Sequence, residues 1–189
     1  MLLATVVIDP PSVIALGVIF VLFMSRSIAA GAPLRRSVLV GAAVGGWMGA
    51  CFSVMAVKQP AWMLVYLADP RSLPVVVWYP IFLAVMIGSG ALGGWFAHQR
   101  IAKGRKRAAV ALAAAMLGLW LLLFAVTLQR YLHIGTYDEY FAGRARVLAE
   151  QPAVMHDFNI VSLITAVPLL VLLGAIIWFD RARTHPRAG

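Results

Sequence analysis

Acidic residues are scarce in this chain. Only seven of its 189 residues are Asp or Glu, and charge of either sign reaches just 12%. A soluble domain of this size carries about a quarter charged residues. The shortage is matched by 62% apolar residues and a mean hydropathy of +0.89. One compact core cannot hide that much apolar surface, which excludes an ordinary soluble enzyme and a disordered chain. Cysteine is nearly missing too. Cys51 stands alone within an apolar run, so neither an intramolecular disulfide nor a cysteine metal cluster can form, and it reads as a small buried hydrophobe.

The four longest apolar runs hold no Asp, Glu, Lys, Arg or His deep within them. Ionisable groups at such depth mark ion and proton paths, so their absence argues against a pump or proton-coupled transporter. Haem held between helices would also need embedded histidines. The chain has no phosphate loop and no nucleophile elbow.

What is present is a set of long hydrophobic segments. A helix needs about 20 apolar residues to cross the hydrocarbon layer. The runs 37–57, 73–97, 108–128 and 160–179 meet that length, and a shorter first segment over 12–30 carries Arg26 near its end, from where it can snorkel. The expected fold is all-α, a polytopic membrane protein built as one domain from a bundle of five transmembrane helices. The leader of the first segment holds Asp9 and no basic residue, unlike a cleaved signal peptide. An uncleaved anchor with its N-terminus outside is therefore expected.

Basic residues number 16 against the seven acids, a net charge of +9. In a soluble protein that excess would suggest nucleic acid. Here it sorts by segment instead, and no nucleic-acid partner is expected. With an outside N-terminus, the inner segments hold Arg26, Arg35, Arg36, Arg100, Lys103, Arg105, Lys106, Arg107, Arg181, Arg183 and Arg187, against Asp180 alone. The outer segments hold Lys58, Arg71, Arg130, Arg144 and Arg146 against six acids. Basic residues concentrate in cytoplasmic loops, so the sequence predicts N-out, C-in in a bacterial-type inner membrane. The basic stretch from His98 to Arg107 is explained by this topological role.

The outer loops hold two further features. Pro60 to Ala68 is apolar and too short to span, which suits the interface. After Gly135, the Thr136-Tyr-Asp-Glu139 sequence has the form of a capping box, and apolar residues then recur at helical spacing to Glu150, before Pro152. A short amphipathic helix over 137–150 is predicted on the outer face. Pro80 and Pro168 are expected to bend the third and fifth spans.

Three groups of residues are candidates for function. Gly41, Gly45 and Gly49 recur every four residues in the second span, and Gly90 and Gly94 repeat the spacing in the third. Small residues at that interval let helix backbones approach closely, either within the bundle or against a partner. Trp47 and Trp120 lie at mid-membrane depth, where they serve core packing or line a pocket for a lipophilic ligand. An outer polar group comprises His133, Asp138, Glu139, His156, Asp157 and Asn159, continued by Ser162 and Thr165. Imidazole and carboxylate can hold metals or act as acid and base. However, no HxxxH or HExxH spacing occurs, Glu139 completes the capping box, and Asp157 can cap the fifth helix, so no metal site is assigned.

Packing chemistry is thus abundant and catalytic chemistry sparse. The expected role is an accessory or partner-binding membrane subunit, associating with another membrane protein or with itself through its Gly-rich transmembrane faces, with the helix over 137–150 as an outer docking surface. The alternative is a small membrane enzyme or redox protein acting on a lipid, quinone or isoprenoid at the outer face. A third reading is a facilitator for a small neutral solute, suggested by the proline kinks. No cofactor is assigned.

Overall fold

The computed structural model describes the backbone of residues 2–58, 75–132 and 152–182, with side chains within 10–51, 79–125 and 156–182. All the regular structure among these residues is helical. The helices are α1 (Leu2–Leu22), α2 (Ser25–Ala29), α3 (Leu34–Lys58), α4 (Val75–Ala102), α5 (Lys106–Leu132) and α6 (Pro152–Ala182). Among the described residues, three stretches are long and apolar enough to cross a membrane: Tyr79–Ala102, Lys106–Leu123 and Asn159–Ala182. The apolar stretch Pro10–Leu22 of α1 is shorter, and α3 carries Arg35 and Arg36 in its first turn. By length and composition these helices mark a membrane protein. The predicted outer helix over 137–150 lies outside the described residues.

Helix ends depart from the predicted spans for physical reasons. The expected first segment, 12–30, is divided. α1 already begins at Leu2, runs through Pro10 and Pro11, and ends at Leu22, after which the short α2 follows. α6 begins at Pro152, eight residues before the predicted start, with proline in the first turn where its missing N–H costs nothing. Asp157 therefore lies inside α6 rather than capping it. Hydropathy locates the part of a helix that suits hydrocarbon, whereas hydrogen bonding carries the helix beyond that part.

Two glycines build the tight connections at one end of the bundle. Gly31 has φ +87°, with Gly31 N donating to Ile28 O and Ala32 N to Ser27 O. Gly104 has φ +71°, with Gly104 N donating to Ile101 O and Arg105 N to Arg100 O. Both sets of bonds form the Schellman arrangement, which satisfies the last carbonyls of a helix and needs the left-handed conformation that glycine adopts freely. These turns join α2 to α3 and α4 to α5, and α2 itself packs against α4 and α6.

The core is a seam of α1, α3 and α4. α3 and α4 run antiparallel, with Ser37 meeting Gly94, Gly41 meeting Gly90 and Gly45 meeting Met86. Each step is four residues along both helices, so one face of each stays in contact for more than two turns. A Cβ built on Gly41 would overlap the Gly90 carbonyl oxygen, and one on Gly90 would overlap that of Gly41. α1 closes the third side, where Gly93 meets the Ile14 carbonyl and a Cβ at Gly17 would stand 2.6 Å from Gly90 O. Val13, Val18, Val21, Val44 and Phe82 are fully buried around this seam. α5 packs chiefly on α1, and α6 on α3.

Candidate functional site

The described polar chemistry gathers at the basic end. Ser37, in the first turns of α3, and His98, near the end of α4, are both buried, and Ser37 Oγ lies 2.9 Å from His98 Nδ1. The antiparallel register brings these helix ends together, and glycine at position 94 leaves room for the α3 backbone one turn from the histidine. Asp180, near the end of α6, is 6% exposed and accepts a 2.7 Å hydrogen bond from Ser27 N in α2. Lys106 Nζ donates to Ser25 Oγ at 3.3 Å, tying α5 to α2. The Arg100 guanidinium stands 4.8 Å from the centre of the Phe96 ring.

Around these buried groups, Arg26, Arg35, Arg36, Lys103, Arg105, Lys106, Arg107 and Arg181 are exposed. The end of the bundle is therefore a cationic surface over a buried polar layer. That layer satisfies backbone and side-chain groups which would otherwise cost about 1–3 kcal/mol each when buried without partners.

The mid-membrane tryptophans stand apart. Trp47 Nε1 donates to the Thr165 carbonyl of α6 at 3.2 Å, and Thr165 Oγ1 donates to Val161 O at 2.7 Å. Pro168 supplies no N–H to the helix one turn further on, and the indole meets a carbonyl in the turn that this proline disturbs. Trp47 is 36% exposed, so it lies along the bundle surface. Trp120 is on α5, which packs against α1 and α4.

Of the outer polar group, His133, Asp138 and Glu139 lie outside the described residues. His156, Asn159 and Ser162 are exposed along α6, three residues apart, and share one face of that helix. Among the described residues, no three of His, Cys, Asp and Glu come together as a metal site. Cys51 is buried beside Val161.

The predicted packing glycines sit where α3 and α4 touch. Gly41, Gly45, Gly90 and Gly94 each meet backbone of the facing helix, and Gly49 meets Leu83 and Met86 side chains. Sequence reasoning missed Gly17, the lone glycine between Pro10 and Leu22, and the turn glycines Gly31 and Gly104, which follow Ala29-Ala30 and Ile101-Ala102-Lys103. It also missed the partners of Ser37 and Asp180, which no local pattern encodes. Compared with known protein families, curated proteins and solved structures, the chain matches none.

Proposed function

We propose that the chain is an integral membrane protein of five spans, N-terminus outside and C-terminus in the cytosol of a bacterial-type inner membrane. In this reading it serves as an accessory subunit that binds another membrane protein, or a second copy of itself, through helix contacts. The orientation is supported by the gathering of cations at one end.

One observation carries the partner reading. With the glycine faces of α3 and α4 turned on each other, a second small-residue face is left open on α5. Ala111, Ala114, Ala115 and Gly118 are all exposed, and a Cβ on Gly118 would meet nothing within 4 Å. They recur at helical spacing opposite the buried Ala109 and Ala113. Such faces drive helix association where hydrophobicity offers no net gain between helices.

Gentle extraction followed by native mass spectrometry tests this. The protein is expected to retain a second subunit, and Ala115→Leu with Gly118→Leu is expected to release it while the separated chain keeps a cooperative thermal transition. Monomer alone from the native protein, or association unchanged in the double variant, refutes the accessory role. Reporter fusions placing both termini on one side of the membrane refute the topology.

A further inference from the structure

A groove of about 350 Å³ runs between α3 and α6 at the basic end. The stems of Arg35 and Arg36 line it at the start of α3, beside Pro33, and the rest of its lining is Leu39, Val40, Ala43 and Leu172. From Arg35 to Ala43 the α3 wall extends about 12 Å along the helix axis. Leu172 lies a similar rise from Asp180 on α6, so both walls reach equal depth below the basic surface. Leu39 is 55% exposed, and the groove opens sideways along the bundle rather than into its core.

Both rim guanidiniums are exposed. Asp180, at the same end of the bundle, is buried and accepts a hydrogen bond from Ser27 N. Two guanidiniums present planar donors that match phosphate oxygens in bidentate fashion. Directly beneath them lies a lateral apolar slot. A soluble anion would use the rim and leave the slot empty; a neutral lipid would use the slot and leave two cations unmatched. An amphiphile with an anionic head satisfies both.

We propose that this groove is a binding site for an anionic diacyl phospholipid, with its phosphate on Arg35 and Arg36 and one acyl chain along Leu39, Val40, Ala43 and Leu172. The site rests on the proposed reading of α3 as a membrane span, and on the proposed orientation for which leaflet supplies the lipid.

The test uses the full chain in a mild non-ionic detergent, titrated separately with dioleoyl phosphatidylglycerol and dioleoyl phosphatidylcholine and read by native mass spectrometry. The expected result is one tightly held phosphatidylglycerol, preferred by about ten-fold or more. Arg35→Gln with Arg36→Gln is expected to erase the preference, at about five-fold per charge. Arg105→Gln with Arg107→Gln removes equal charge from the same end, away from the groove, and is expected to leave the preference intact. Ala43→Trp fills the slot with both arginines in place and is expected to weaken phosphatidylglycerol binding about ten-fold. That variant keeps the test decisive where the arginine variant fails to insert. Equal binding of the two lipids, equal loss in the Arg105/Arg107 control, or unchanged affinity in Ala43→Trp overturns the site. Displacement of the lipid by equimolar glycerol phosphate also overturns it, in favour of a soluble anion.

Discussion

The seam of α1, α3 and α4 and the outlying pair α5 and α6 contain the same residue types put to opposite uses. In the seam, Gly17, Gly41, Gly45, Gly90, Gly93 and Gly94 each press on backbone of another helix. On the outlying helices, Gly118 and Gly174 meet nothing within 4 Å, while Leu121, Leu122, Leu170 and Val171 are each more than half exposed. The seam gains its cohesion from close backbone contact, which water-driven burial does not supply inside a membrane. The outlying helices have apolar side chains suited to lipid or to another helix. A glycine's effect on this protein is therefore set by what faces it rather than by its intrinsic helix propensity.

The largest expected effect follows directly. Gly41→Leu or Gly90→Leu forces a side chain into the facing carbonyl, where only separation of α3 from α4 can relieve it. Overpacking a core costs about 1–3 kcal/mol when side chains can yield, and a backbone obstacle should exceed that range. Thermal unfolding in detergent is expected to show loss of the cooperative transition. A native-like transition would mean that the helices do not meet in this register.

Removing Asp180 ranks next. Asp180→Ala leaves the Ser27 N–H without this acceptor in a buried layer, at a cost of about 2 kcal/mol, whereas Asp180→Asn keeps a carbonyl oxygen and should recover most of it. Ser37→Ala and His98→Ala should each cost about 1–2 kcal/mol, and the double variant less than their sum, because the two groups are satisfied by each other. Strict additivity in that cycle would break the pairing. Trp47→Phe keeps the ring and loses the donor to Thr165 O, for about 1 kcal/mol, and the loss should be confined to the docking of α6 on α3.

These residues also show what a sequence can and cannot reveal. The interval of four between Gly41, Gly45 and Gly49 is a local pattern, and the close-packing chemistry it implies was legible from spacing alone. The register that sets Gly41 on Gly90 was not, since any sliding of two such stripes by four residues preserves the pattern. Ser37 and His98 are 61 residues apart, and neither is unusual where it stands. The likeness of Val44-Gly-Gly-Trp47 to Leu92-Gly-Gly-Trp95 reads as chance or shared packing chemistry rather than a duplication, and the glycines of the two stretches meet different neighbours: Met86 and Ile87 for the first, Ile14 and Ser37 for the second. Apolar length located three helices long enough to cross a membrane among the described residues, because hydrocarbon thickness is a physical ruler. It misplaced the start of α6, because Asn159, Asp157 and His156 lower hydropathy without interrupting backbone hydrogen bonds. The candidate site at the outer face depended on His133 and Glu139, which lie outside the described residues, so its placed members are those on α6, from His156 and Asp157 to Asn159.

The smallest expected effect is the sharpest test of the contrast between the two regions, because its sign reverses. Alanine is a better helix former than glycine by about 1 kcal/mol, as it restricts the unfolded chain and covers the backbone. At Gly118 and Gly174, and at Gly88 on the outward side of α4, the added methyl meets open space, so Gly→Ala should leave stability unchanged or raise it by a few tenths up to about 1 kcal/mol. The same methyl at Gly45 or Gly94 meets a facing carbonyl and should destabilise. Measured as a matched set by thermal unfolding in one detergent, the five alanine variants should fall into two groups of opposite sign. If Gly45→Ala and Gly94→Ala are as benign as Gly118→Ala, propensity outweighs contact and the seam is looser than its backbone contacts imply. If Gly118→Ala alone among the open three destabilises, the α5 face is already occupied by a second subunit in the purified protein, which would locate the proposed partner contact on that helix.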